Sequence, residues 1–130
     1  MARGLQISDA EWDVMEPIWA AGACTAADVI KQLRATHDWN PSTIRTLLAR
    51  LVEKGALAYD VDGARYIYRA AVSRQQCVRQ KGRSFLEKAF GGDVAALLAH
   101  FVEESSLDRD QIKQLRQLLA QKKNFREKQT

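Results

Sequence analysis

The stretch WNPSTIRTLLARLVEKG, residues 39 to 55, holds the side chains best suited to chemistry. Ser42, Thr46, Ala49 and Glu53 recur at the spacing of one helix face, flanked by Thr43, Arg45 and Arg50. Small and hydrogen-bonding residues gathered toward a helix N-terminus fit a DNA groove, where arginine and threonine meet base edges. An ordinary solvated helix surface has the same make-up, and this helix alone leaves both readings open. Other chemistry has no constellation to stand on. His37 and His100 are isolated, no Ser/His/Asp or Cys/His pair stands at credible spacing, and no glycine-rich phosphate loop occurs. The chain therefore reads as a non-enzyme without a cofactor. Cys24 and Cys77 are too few and too distant for a disulfide framework, and no zinc spacing is present, so reduced thiols and no metal are expected. Oxidant sensing by these thiols is the less favoured alternative to a bystander role.

Composition bounds the rest. The 130 residues, 46% of them hydrophobic, suffice for one sizeable core, or for a small core plus an element that needs a partner. No apolar run approaches the ~20 residues of a membrane span, and MARGLQISDAEW lacks the apolar stretch of a signal peptide. A cytoplasmic protein without membrane insertion is expected. The net charge is +4, but residues 1 to 72 hold eight Lys/Arg against nine Asp/Glu, and the remainder holds twelve against seven. Overall basicity is thus no guide to partners. Much of the N-terminal acidity sits in Asp9, Glu11, Asp13 and Glu16, which leaves room for a positive surface elsewhere in that half.

The elements that must hold the polar face are written locally. Ser8-Asp9-Ala10-Glu11 has capping-box spacing and Ile7 with Trp12 forms a hydrophobic staple, so a first helix starts near residue 9, with Trp12, Met15, Ile18 and Trp19 facing inward. Pro17 conflicts with that helix and should kink or shorten it. Thr25-Ala26-Ala27-Asp28 opens a second helix that buries Val29, Ile30 and Leu33. Asn40 caps the third helix, Pro41 suits its first position, Ile44, Leu47, Leu48, Leu51 and Val52 form its buried face, and Gly55 ends it. Two short β-prone runs then flank Asp62-Gly63, a strong hairpin signal. Helix, helix, helix, hairpin is the winged helix-turn-helix order. Tyr66 and Tyr68 share one face of the second run, and Arg65, Ile67 and Arg69 share the other. The two arginines suit a phosphate backbone, with a solvated edge as the alternative.

Three further helices follow. Residues 73 to 90 contain Phe85, Leu86 and Phe90; Asp93 caps a helix bearing Val94, Leu97, Leu98, Phe101 and Val102; and Ile112, Leu115, Leu118 and Leu119 form the seam of the last. After Leu119 the charged segment AQKKNFREKQT reads as frayed. The division is a winged-helix domain over 1–72 and a helical domain over 73–130, in a mainly α chain. The later helices carry more apolar surface than one small domain covers, and a second copy of the chain is the most economical partner. Folding back onto the N-terminal domain is the alternative.

The segments ISDAEWDVMEPIW, TAADVI, STIRTLLARLVEKG, YIYRA, FGGDVAALLAHF and LDRDQIKQLRQLL, in this order and spacing, resemble the penicillinase and methicillin-resistance repressor family, BlaI/MecI, over about residues 5 to 120. The resemblance implies a homodimeric repressor of antibiotic-resistance genes that holds inverted-repeat double-stranded operator DNA through its winged helix. Its dimerisation residues would include Phe85, Leu86, Leu97, Leu98, Phe101, Val102, Ile112, Leu115 and Leu119. It implies base reading by Ser42, Thr43, Arg45 and Thr46; Arg50, one turn deeper, is assigned to phosphate by its position, as Arg65 and Arg69 are by theirs in the second β-prone run. It further implies relief by a membrane-bound sensor metalloprotease after a β-lactam or related cell-envelope signal. Cleavage would fall at His100-Phe101 within LLAHFVEE, where the family usually has Asn before the Phe. Asn124-Phe125 is the competing site by local sequence, but it lies in the tail. A copper-sensing sister branch carries paired cysteines near the C-terminus, which this chain lacks. The alternative functions are a winged-helix protein–protein module and a metal-responsive repressor.

Overall fold

Local signals set the helix starts. In the computed structural model, which describes residues 5–129 and side chains over 5–124, the Ser8 hydroxyl accepts from the Glu11 amide and the Glu11 carboxylate accepts from the Ser8 amide. This capping box opens α1 (Asp9–Ala21). A second box, Thr25 with Asp28, opens α2 (Ala26–Arg34), and Asn40 followed by Pro41 opens α3 (Pro41–Lys54). Pro17 neither breaks nor shortens α1: the helix runs on to Ala21 with Pro17 buried. The residues Met1 to Gly4 of the N-terminal stretch, and Thr130, lie outside the described residues.

Between α1 and α2 the chain forms β1 (Ala23–Thr25), a strand absent from the sequence reading. It pairs antiparallel with β3 (Arg65–Ala70), which also pairs antiparallel with β2 (Leu57–Asp62), so the sheet order is β1-β3-β2. The β2–β3 turn lies one residue later than Asp62-Gly63 suggests. A type I′ turn there would need positive φ at both residues, and of the two only Gly63 has it, at 64°. Gly63-Ala64 therefore turns the chain and Asp62 closes the ladder opposite Arg65.

The core lies among the first three helices and the root of the sheet. Val14, Met15, Ile18, Val29, Ile44, Leu48 and Leu51 are almost wholly buried, with Cys24, Ala56 and Leu57 from the strand region. Trp12 and Trp19 are half-buried, their rings edge to face at 5.3 Å.

Then come α4 (Arg74–Phe90), α5 (Val94–Glu104) and α6 (Arg109–Gln129). The mainly α chain divides into two compact units, Met1–Ser84 and Phe85–Thr130. The first runs past residue 72 because the start of α4 is bound to α1. Trp19 Nε1 donates to the Val72 carbonyl at 3.0 Å, Arg74 meets Glu16 at 2.8 Å, Lys81 meets Asp9 at 2.7 Å, and Cys77 is buried.

In the second unit, Gly91 and Gly92, both at positive φ, end α4, and their amides bond the Glu87 and Leu86 carbonyls. Asp93 caps α5, and Asp108 with Gln111 caps α6. The segment after Leu119 continues α6 as helix to Gln129, in keeping with its lysines, glutamines and other good helix formers. Over residues 85–124 no side chain is buried.

Candidate nucleic-acid interface

Burying Ile44, Leu47, Leu48 and Leu51 turns the other side of α3 outward. Ser42, Thr43, Arg45, Thr46 and Arg50, the five candidates on this helix, are all exposed there. Helical spacing puts Ser42, Thr46 and Ala49 along the middle of that face, Arg45 on one edge, and Thr43 with Arg50 on the other. Glu53 stands at the C-terminal end of the strip. The hydroxyls are not equivalent. Ser42 Oγ donates to Asn40 Oδ1, and Thr46 Oγ1 donates to the Ser42 carbonyl at 3.0 Å. Their protons are used inside the helix, so outward they offer mainly acceptor lone pairs and, for Thr46, a methyl group.

Charge is distributed so that this face stays positive. Each acidic residue of α1 has a cationic or imidazole partner: Asp9 with Lys81, Glu11 with Lys54 at 2.6 Å, Asp13 with His37 at 3.0 Å, and Glu16 with Arg74. Among the described residues, neither Arg45 nor Arg50 has a carboxylate within ion-pair distance. The carboxylates of α1 are thus offset by neighbouring side chains, and the α3 guanidinium groups face solvent.

Two of these pairs also set the position of α3. Lys54 Nζ reaches both Glu11 and the Gln6 carbonyl, fixing the end of α3 to the start of α1. Burial pushes the Glu11 carboxyl up, but the bonds from Lys54 and Ser8 outweigh it and hold the carboxyl below its ordinary range. At the other end, His37 Nε2 meets Asp13, its Nδ1 lies 2.8 Å from Thr36 Oγ1, and its ring packs on Trp39 at 4.3 Å. His37, isolated in the sequence, braces the turn that leads into Asn40. Among the described residues no three His, Cys, Asp or Glu side chains are grouped to hold a metal ion.

The wing divides its residues by face. Leu57, Tyr59, Val61, Tyr66, Tyr68 and Ala70 share one side through the pairs Leu57↔Ala70, Tyr59↔Tyr68 and Val61↔Tyr66. Arg65 and Arg69 lie on the other, with Asp60 and Asp62. Arg69 Nε donates to Asp60 Oδ2 at 3.2 Å, and Arg65 sits opposite Asp62 in register and within electrostatic reach of Asp28. The two wing arginines, unlike those of α3, stand among carboxylates. The alternation of faces was legible in the sequence; the acidic neighbours depended on the register.

In the second unit the candidate dimerisation residues are only partly covered. Phe85, Leu98, Phe101 and Val102 are 48, 42, 45 and 58% exposed, and Ile112, Leu115 and Leu119 are 37, 38 and 61% exposed. Leu86 and Leu97 are half-buried. His100 is exposed, with its ring 5.7 Å from Phe90 and 5.4 Å from Phe101. The Phe125 side chain of the competing bond lies outside the described residues.

A sequence profile described as penicillinase repressor matches residues 7–121. This chain belongs to the penicillinase repressor family. It is 36% identical over 119 residues to the penicillinase repressor of Bacillus licheniformis, covering 92% of this chain and 93% of that one. It is 34% identical over 117 residues to the methicillin resistance regulatory protein MecI of Staphylococcus aureus strain N315, covering 90% and 95%. Among solved structures, the DNA binding domain of the repressor BlaI matches with a TM-score of 0.50 at 42% identity, over 53% of this chain and 84% of that one. That match accords with the winged helix-turn-helix, and the family is one of repressors rather than enzymes. No helix among the described residues is long and apolar enough to cross a membrane.

Proposed function

We propose that this chain is a dimeric transcriptional repressor that lays α3 in the major groove of an inverted-repeat operator. The observation that carries the reading is the contrast between the partnered carboxylates of α1 and the exposed Arg45 and Arg50 of α3, which have no carboxylate within ion-pair distance among the described residues. Arg45, with Thr43, Ser42 and Thr46, reads base edges; Arg50 meets phosphate. Arg65 and Arg69 act at most as outlying phosphate contacts, because Asp60, Asp62 and Asp28 already offset their charge. The uncovered apolar faces of Phe85–Thr130 pair two copies, bringing two readers to two half-sites.

Relief of repression follows from hydrolysis of the His100-Phe101 bond by a membrane-bound sensor metalloprotease responding to a β-lactam or related cell-envelope signal. A cut there detaches Phe101, Val102 and the whole α6 seam from the rest of the second unit. The dimer then loses much of its apolar burial, at ~25 cal/mol per Å².

Selection of duplexes from a random-sequence pool by the full-length protein tests the DNA reading. The expected product is an inverted repeat bound with a steep loss of affinity as salt rises. Recovery of no preferred sequence, or binding indifferent to salt, overturns it. Intact-mass analysis before and after induction tests the cleavage. A fragment ending at His100 is expected, and full-length protein alongside a derepressed promoter excludes it.

A further inference from the structure

The wing carries an aromatic ladder of Tyr59, Tyr66 and Tyr68, of which only Tyr68 packs against the core. Leu57 at the root of this face is buried, Tyr68 is half-buried against the core, and Tyr59 and Tyr66 are 41 and 47% exposed. The Tyr59 and Tyr66 rings stack at 4.4 Å and 16°, and each lies just over 6 Å from the Tyr68 ring. Stacking pairs one face of each ring, and both residues stay more than two-fifths exposed. This side of the hairpin contains no carboxylate, whereas the opposite side carries Asp60 and Asp62. It is therefore the wing face that an anionic backbone can approach without repulsion.

The ladder also adjoins the reading helix. α3 packs against β2. Burial pushes the Tyr68 phenol up, its neighbours Tyr66 and Tyr59 add to that, and the positive charge of Arg45 opposes it. Arg45, at one edge of the exposed α3 face, is thus within electrostatic reach of the ladder.

We propose that the hydroxyls of Tyr59 and Tyr66 donate hydrogen bonds to the sugar–phosphate backbone flanking the groove that α3 occupies, with Tyr68 seating the ladder. The inference rests on the DNA-binding reading and refines it: the wing binds through neutral donors on its tyrosine face. Tyrosine is among the side chains that serve as phosphate donors, and a neutral donor displaces no counterion.

The test is the Tyr59→Phe/Tyr66→Phe double variant of the full-length protein, which keeps the stacked rings and removes only the hydroxyls. Its binding is measured on the duplex selected by the wild-type chain, across a salt series. Affinity should fall about tenfold or more, with the slope of log affinity against log salt and the thermal midpoint unchanged. Wild-type affinity overturns the inference, as does a loss that comes with a lower midpoint or a shallower slope. Arg45→Ala separates the two readings. If it weakens binding while the tyrosine variant does not, the ladder proposal fails and the DNA reading stands. If the wild-type chain selects no duplex, both fail.

Discussion

The two units of this chain spend their side chains in opposite ways. In Met1–Ser84, apolar faces from three helices close over one another, and the acids of α1 are all partnered. In Phe85–Thr130 three helix segments are formed and capped, yet over residues 85–124 no side chain is buried. Caps mark where these helices begin, but packing of an apolar face supplies most of a helix's stability, and the second unit packs its faces only in part. The same contrast recurs among the charges of the first unit, where the acids of α1 are partnered and the exposed Arg45 and Arg50 have no carboxylate within ion-pair distance among the described residues. Within the first unit the buried Glu11 carboxylate paired with Lys54 carries stability, while the more exposed pairs add little in water.

The largest expected effect follows from separating the units. A chain ending at Ser84 should stay folded, because it keeps Cys77 and the Arg74 and Lys81 pairs, but should bind its selected duplex about 10²–10⁴-fold more weakly as linked contacts become independent. A chain ending at Val72 should also melt at lower temperature, having lost those ties. Gel shift and thermal unfolding of the three lengths decide this, and equal affinity of the Ser84 form with the full chain breaks the comparison.

Matched leucines sharpen it. Leu48 is wholly buried, and Leu48→Ala should cost about 2–5 kcal/mol of unfolding free energy at any protein concentration. Leu118 is 60% exposed, and Leu118→Ala should leave the isolated chain within roughly 0.5 kcal/mol of wild type while weakening self-association. Sedimentation equilibrium alongside denaturant unfolding separates the two.

Among the charges, Arg45→Ala should cost roughly 1–3 kcal/mol on the selected duplex and relax sequence preference without altering stability. Arg50→Ala should weaken all duplexes alike and reduce the salt slope by about one. If both variants discriminate sequences as well as wild type does, α3 is not the reader.

How far such groups could be read from sequence depended on how local their causes are. The Ser8/Glu11 and Thr25/Asp28 boxes, Asn40-Pro41 and the inward face of α3 are determined within a few residues, and the structure has them where the sequence reading puts them. β1 was invisible because Ala23–Thr25 is a strand only by virtue of pairing with β3, far along the chain. The ties of α4 to α1, and Glu11 to Lys54, likewise join residues dozens of positions apart. The exposed α3 face was legible in full; the surroundings of Arg65 and Arg69 were not. A turn placed one residue early changes which β2 residue stands opposite each arginine.

Glu11 gives the next smaller effect. Its folded-state carboxyl lies below its ordinary value, so the stabilisation it supplies is complete above that ordinary value and is lost as pH falls through the lowered folded one. Glu11→Gln should remove roughly 1–2 kcal/mol near neutral pH and flatten this acid limb, since Lys54, itself 37% exposed, is partly rehydrated. Urea unfolding as a function of pH is the measurement, and parallel acid limbs for the two proteins assign the acid sensitivity to other carboxylates.

Arg69→Ala should do least. Its guanidinium is bonded to Asp60, both groups are more than half exposed, and such surface pairs are worth little in water. Stability should shift by less than roughly 0.5 kcal/mol. Binding should change by less than about threefold, because removing Arg69 also frees the Asp60 carboxylate on a wing face turned away from the tyrosine ladder. The salt slope is the sensitive readout, since a true phosphate contact would lower it by about one even where affinity at a single salt concentration changed little. An unchanged slope keeps Arg69 with the satisfied groups of the first unit, and a slope reduced by one moves it to the binding surface beside Arg45 and Arg50.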